Sequence, residues 1–393
     1  MTTGASAGKS RLETDSSLSL KSLLVSSDER TVRVLRRVLS DLEIEVEHCP
    51  AAERAIRRIT RQRFEAIIVD GDNLEDASKV LVGAKAAPVN KRALAVVLVE
   101  KEMGLKGGFE LGAHFVLHKP FAVERAKASF RAMRALMKRE RRSQMRIAVE
   151  VPVDCLGDSR YKAKTIDLCE GGMAVQFIGR VPNEAGLRFG LTLPGLEERL
   201  EVSGELAWGG SGDVAGVRFK DIPEDRRNVL RQWLNSQLPE PEQDDPPMNC
   251  NLSALSRGGC YLTTASPFPR GTLVALSAKT AEGELRASAK VLVAHPEFGM
   301  GVEFLRRTTE QADRARRMIA LLQANVQKHQ EVHVTPEGLE ALAAEDNLAT
   351  PASGTAEGKD KDPLLDLFRL NFHTPVDTFL EQLREQRPAF DSR

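Results

Sequence analysis

Three arginines, Arg141, Arg142 and Arg146, crowd the end of a stretch free of Pro and Gly, and further on the chain reads Asp167-Leu168-Cys169-Glu170-Gly171-Gly172. Guanidinium groups grip phosphate through paired hydrogen bonds and stack on flat rings. An arginine run at a helix end is by itself usually a solvated face, or a match to the negative end of the helix dipole. Joined to an Asp-x-Cys-x-Gly-Gly turn it is a more specific signal. Asp70 closes an apolar run, and Lys119 opens Lys119-Pro120-Phe121. His329 and His333, four apart on an expected helix, could share a metal, but no third ligand is recognisable nearby, so an exposed helix end is preferred. Arg54, Arg57, Arg58, Arg61 and Arg63 form a basic helix face that reads as solvated, with an acidic partner as the lesser option.

Composition narrows these options. At roughly 150 residues per domain, a chain of 393 residues should hold two or three domains. Fifty-six Lys and Arg balance 56 Asp and Glu, so no global field holds a polyanion. No helix-turn-helix is visible, and DNA is not an expected partner. Aromatics are 5% of residues, too few for a base-stacking sheet, so nucleotide contact should rely on arginine and backbone. Cys49, Cys155, Cys169, Cys250 and Cys260 are odd in number and contain no Cys-x-x-Cys pair, which fits a reducing compartment. No apolar run reaches the roughly 20 residues of a spanning helix. The expected location is cytoplasmic, without a membrane span.

The elements that must position these residues follow from periodicity. Residues 1–19 are expected to be disordered. Short apolar strands alternate with amphipathic helices from residue 20 to about 138, predicting a parallel sheet covered on both faces. Residues 122–142 should be one long helix joining two domains. From Ile147 the apolar period becomes two, with Gly and Pro between short strands, as in a small antiparallel barrel closed by a helix over 225–237. Residues 239–247, rich in Pro and acids, read as an extended linker. Residues 248–325 repeat the order of strands and helix. Gly171-Gly172-Met173 aligns with Gly258-Gly259-Cys260, and residues 215–219 with 299–304, so the barrel is duplicated. The second barrel's first strand looks short, leaving its end to be completed by another segment. Residues 326–393 are expected to form a linker and helical tail, disordered around 347–362. Thr374 and Pro375 start the last helix, and the tail's apolar face should dock on a partner.

Residues 20–138 resemble the receiver domains of two-component response regulators. Asp70 matches the phosphoacceptor, and Lys119-Pro120-Phe121 matches the family's Lys-Pro-Phe ending. The resemblance implies carboxylates holding Mg²⁺ while a lysine pairs with phosphoryl oxygens. Here the acid pair is reduced to Ser27 and Asp28, with Glu29 next. The fourth strand ends in Val99 and Glu100, where the family carries Ser or Thr. The preferred reading is a degenerate receiver for dimerisation or partner docking, with Asp70 and Lys119 as a residual ion pair. Phosphorylation at Asp70, with Mg²⁺ on Asp28 and Asp70, is the alternative.

Residues 139–238 resemble a PilZ domain, the family of cyclic di-GMP receptors. Arg142 and Arg146 fit its Arg-x-x-x-Arg motif, and Asp167 and Gly172 fit its Asp/Asn-x-Ser-x-x-Gly motif, with Cys169 in place of Ser. The resemblance implies that Arg141, Arg142 and Arg146 hold the ligand's phosphates and guanines. Asp167 would then accept from a guanine edge, and Gly171 and Gly172 admit it to the backbone. The thiol of Cys169 is a weaker donor and acceptor than a hydroxyl. The second barrel carries Ala254 where Asp is needed, and no Arg-x-x-x-Arg precedes it, so a structural or dimerising module is expected.

The sequence therefore reads as α/β plus β: a doubly wound receiver-like domain and two small antiparallel barrels with C-terminal helices. The expected function is a non-enzymatic, cytoplasmic, bacterial two-component signalling protein that binds cyclic di-GMP through its first barrel and changes domain orientation. A protein partner and a homodimer are also expected. The rivals are a protein-interaction scaffold and a regulator driven by phosphate on Asp70.

Overall fold

Apolar residues on every position of a strand demand cover on both faces, and the first domain supplies it. A computed structural model of the protein describes residues 19–100, 104–120, 122–156, 161–179, 181, 187–209, 213–220, 222–239, 243–280, 283–295, 298–324, 331–339, 362–370 and 376–385. The sheet strands are β1 (Leu20–Val25), β2 (Ile44–Cys49), β3 (Ala66–Asp70), β4 (Leu94–Glu100) and β5 (Phe115–Lys119). They run parallel in the order β2-β1-β3-β4-β5. Between them lie α1 (Glu29–Ser40), α2 (Ala52–Ile59), α3 (Leu74–Ala86) and α4 (Gly104–Glu110), and α5 (Val123–Ser143) follows. Leu24, Ile68, Val96 and Leu98 pack with Leu35, Phe130 and Met133 of α1 and α5. The alternate positions Leu23, Ile67, Val69 and Val97 pack with Ala55, Val80 and Leu81 of α2 and α3.

The chain divides into two compact units, Glu140–Asp244 and the remainder, Met1–Arg139 with Asp245–Arg393. In the first of these, β6 (Ile147–Ala148) precedes β7 (Pro152–Leu156), β8 (Lys162–Cys169), β9 (Gly172–Phe177), β10 (Leu187–Leu191), β11 (Leu200–Gly209) and β12 (Val214–Lys220). Strands β8-β7-β10-β11-β12-β9 form a ring closed by the β8–β9 pairing, and β6 adds to β8. Helix α6 (Glu224–Ser236) lays Leu230, Trp233 and Leu234 into the barrel core.

The other unit contains the sheet domain and the second barrel. Its strands are β13 (Met248–Leu255), β14 (Gly259–Thr263), β15 (Thr272–Thr280), β16 (Gly283–His295), β17 (Gly299–Phe304) and β18 (Glu331–Leu339), closed in the order β13-β14-β17-β16-β15-β18. Helix α7 (Thr309–Ala324) buries Ala315, Met318 and Leu322. Met133, Leu136 and Met137 of α5 belong to the same buried cluster as Leu262, Val302 and Val334 of this barrel. Polar ties join the same parts. Asp245 accepts from Arg134 Nη1 at 2.6 Å and Lys138 Nζ at 2.8 Å, and Arg139 Nε donates to the Glu337 carbonyl at 3.2 Å.

Strand β18 corrects the expectation that the barrel ends at residue 325 and that 326–393 is only linker and helix. Val332 and Val334 are buried while Glu331 is exposed and His333 lies between them, an alternation of period two that only a strand satisfies. β18 pairs with both β13 and β15 and supplies the missing end of the barrel. His333 is thus on a strand, its ring beside Asn249 Oδ1 at 2.7 Å, and not on a helix. His329, the disorder expected in 1–18 and over 347–361, Phe121, Thr374 and Pro375 lie outside the described residues. The tail forms α8 (Pro363–Leu370) and α9 (Val376–Glu385). Among the described residues no helix is long and apolar enough to cross a membrane.

Candidate functional site

The last turn of α5 carries Arg141 and Arg142, where cations complement the helix dipole. The chain then enters β6, whose register sets Ile147 opposite Leu168 and Ala148 opposite Asp167. This short pairing fixes the approach of Arg146. Its Nε and Nη2 both lie 2.7 Å from Asp167 Oδ1, which also accepts from the Ala174 amide at 3.2 Å. Both side chains are partly solvated, 43% and 26% exposed, so the pair is worth no more than about 1 kcal/mol and is open to exchange.

Arg142 is different. Its side chain is 2% exposed, and Nη2 lies 2.6 Å from Asp244 Oδ2 and 3.3 Å from Glu170 Oε1. Nη1 reaches Asn235 Oδ1 at 3.1 Å and the Arg231 carbonyl at 3.4 Å. The expected group is therefore brought together in part. Arg146 with Asp167 and Arg142 with Glu170 meet the same hairpin turn, Arg141 is half-buried nearby in sequence, and Cys169 is a buried free thiol.

The two turn glycines do different work. A Cβ on Gly172 would stand 2.2 Å from the Val217 carbonyl oxygen, so β9 and β12 close only around glycine. A Cβ on exposed Gly171 would meet nothing within 4 Å, and the space beside the turn is open.

Cross-strand register places two further residues at this face. Asp167 opposes Ala174, Ala174 opposes Gly216, and Gly216 opposes Trp208, one straight row across β8, β9, β12 and β11. At about 4.8 Å per strand the row spans roughly 14 Å. Its floor is small, and the indole of Trp208 lies over Gly216 with 49% of the residue exposed. Sequence reasoning missed Trp208 and Gly216. The glycine stood in the repeat alignment, but nothing local tells which residue opposes it.

The second barrel repeats the row as Ala254, Tyr261, Gly301 and Val293, with β-bulges at the corresponding points of β13 and β16. Here the face is covered. Leu365, Phe368 and Phe379 of α8 and α9 pack on Tyr261 and Val293, and the Phe379 ring lies 5.5 Å from Tyr261 and 4.2 Å from His295. Asp362 Oδ2 accepts from the Gly258 amide at 2.8 Å. The tail's apolar face thus docks on the chain's own barrel, which replaces the expectation of an outside partner for it. Ser256 Oγ accepts from the Gly259 amide at 3.0 Å and the Gly258 amide at 3.2 Å. Cys169 stands at that position in the first barrel.

In the sheet domain Asp70, 10% exposed at its side chain, accepts from Lys119 Nζ at 2.8 Å and Ser26 Oγ at 2.7 Å. Lys119 also meets Asp72 at 2.6 Å. Burial opposes its charge, but the hydrogen bonds to Asp70 and Asp72 prevail and raise its pKa. The Asp70–Lys119 ion pair is the one expected from the sequence, and Asp28 takes another role. Asp28 caps α1 through the Arg30 and Thr31 amides, and bonds from Thr31 and Arg30 lower its pKa. Ser26 faces Asp70 in its place. Among the described residues no three His, Cys, Asp or Glu side chains converge on one point. On α2, Arg58 pairs with Glu47, and beyond its end Arg63 lies 3.4 Å from Glu65.

Residues 140–236 and 238–321 each match the PilZ domain family. The chain carries two PilZ domains. PilZ domains belong to cyclic di-GMP signalling, and here they follow the domain built on the five-stranded parallel sheet. Strand β18 and the tail helices lie beyond the matched residues. No curated protein matches the chain. Among solved structures, the receiver domain of a sensor histidine kinase from Pseudomonas aeruginosa, with magnesium in its active-site cleft, is 20% identical. It covers 30% of this chain and 98% of its own, with a TM-score of 0.27. An adenylate cyclase structure from Rhodopirellula baltica is 23% identical over 29% of this chain and 87% of its own, with a TM-score of 0.26. The PilZ domain of CeSA from a cellulose-synthesising bacterium is 17% identical over 24% of this chain and 98% of its own, with a TM-score of 0.21.

Proposed function

We propose that the chain is a cytoplasmic signalling protein, not an enzyme, whose first PilZ domain binds cyclic di-GMP. The observation that carries this is the partly solvated Arg146–Asp167 pair at one end of a row whose other end, Trp208, is half exposed, against the same row in the second PilZ domain packed under Phe368 and Phe379. A solvated ion pair is readily exchanged. The ligand's phosphates take Arg146 together with Arg141 and Arg142, and a guanine donor edge replaces Arg146 on Asp167. Gly171 leaves room for the ligand at the turn. Since the arginines sit where α5 passes into the barrel, binding there reorders the joint and changes domain orientation or partner binding.

Isothermal titration of the full chain with cyclic di-GMP tests this. Wild type should bind, and Arg146→Ala should bind about 10- to 100-fold more weakly, as loss of a charge-assisted contact implies. Absence of heat from wild type up to about 50 µM ligand, a free energy near −6 kcal/mol, leaves the protein as a scaffold that binds other proteins only. The burial of Arg142 among carboxylates is the observation on that side.

A further inference from the structure

The geometry points to Asp244 and Glu170 as internal counter-anions that occupy Arg142 and that the cyclic dinucleotide must displace. This rests on cyclic di-GMP binding at the first PilZ domain and adds what regulates that site. Arg142 is the first arginine of Arg-x-x-x-Arg, yet its side chain is the more deeply buried, 2% exposed against 43% for Arg146. Both of its terminal nitrogens, Nη1 and Nη2, are already engaged. Asp244 Oδ2 lies at 2.6 Å, Glu170 Oε1 at 3.3 Å and Asn235 Oδ1 at 3.1 Å.

A carboxylate and a phosphodiester compete for the same planar donor fork. Glu170 belongs to the Asp167–Gly172 turn itself, so a ligand approaching that turn meets a guanidinium held by a carboxylate of the turn and another from the linker. Asp244 is held in turn, its amide donating to Asn235 Oδ1 at 3.0 Å. The same amide oxygen thus serves both Arg142 and the linker. Asp244 is the last residue of its compact unit. Releasing its carboxylate frees one of the two chain crossings that bound the first PilZ domain, and ligand occupancy is thereby coupled to the acidic, proline-rich linker.

Three conservative variants of the full chain, titrated with cyclic di-GMP, test the assignment. Asp244→Asn and Glu170→Gln remove a competing charge and keep shape, and each should bind about tenfold more tightly than wild type. Asp245→Asn, next in sequence but bonded to Arg134 and Lys138, should bind as wild type does. Both tryptophans, Trp208 and Trp233, lie in the first PilZ domain, so their emission gives a second readout of the same titration. If Asp244→Asn does not fold, Glu170→Gln carries the comparison. Unchanged affinity in both, with wild type binding normally, overturns the counter-anion role and leaves cyclic di-GMP binding intact. Binding by Asp244→Asn where wild type is silent supports it. Silence from wild type and all three variants removes both.

Discussion

At the scale of single residues, the first PilZ domain separates what the turn needs for folding from what it offers a ligand. Gly172→Ala drives a methyl into the Val217 carbonyl and should destabilise the domain by about 1–3 kcal/mol, read as a lower denaturation midpoint. Gly171→Ala, with nothing within 4 Å of the added carbon, should leave that midpoint within about 0.5 kcal/mol of wild type. Equal loss in both would refute the distinction. The glycines and Asp167 were legible in the sequence because their spacing along one hairpin is local, and Arg146 because it follows Arg142 at a short fixed spacing. Trp208 and Gly216 were not, since they meet Asp167 only through pairings among four strands. The burial of Arg142 was equally hidden, as its partners Glu170, Asn235 and Asp244 come from three separate segments.

At the scale of elements, α8 and α9 are held against the second PilZ domain by an apolar contact that includes one titratable ring. Burial lowers the pKa of His295 to about 4. Between its ordinary value of 6.5 and that value, the unfolded chain takes up a proton that the folded chain refuses. Stability is therefore full above that window and falls as pH drops through it, by up to about 3 kcal/mol for one such site. Because His295 packs on Phe379, the protection of residues 376–385 against hydrogen exchange, taken relative to the intrinsic rate at each pH, should fall between pH 6 and pH 4.5. His114 is lowered to about 4 by burial as well, so exchange resolved by segment is the measurement needed. A tail whose protection does not change over that range would show that the ring does not govern docking. The helices themselves were readable from their apolar spacing. Strand β18 was not read, because two histidines four apart suggested a helix while the Val332–Val334 alternation marked a strand.

At the scale of the whole molecule, the sequence suggested domains in linear succession, whereas the receiver-like domain and the second PilZ domain belong to one compact unit and the first PilZ domain to another. The ties that create this, Arg134 and Lys138 to Asp245 and Arg139 to Glu337, join residues more than 100 positions apart. No local period encodes them. With Asp70 bound to Lys119 and Ser26, and Asp28 committed to a helix cap, phosphate is not the expected input. Acetyl phosphate with Mg²⁺ should leave the chain's Phos-tag mobility unchanged. A slower band that vanishes in Asp70→Asn would restore phosphotransfer.

The covered row of the second PilZ domain also limits what this duplicated module can become. Gly258 and Gly301 now receive Leu365 and Phe368, where any Cβ would collide. Grafting an aspartate at Ala254 and arginines upstream would therefore recreate the vocabulary of a nucleotide receptor on a surface with no vacancy. A ligand at that row requires α8 and α9 to leave first, so point substitutions in the barrel alone do not open it.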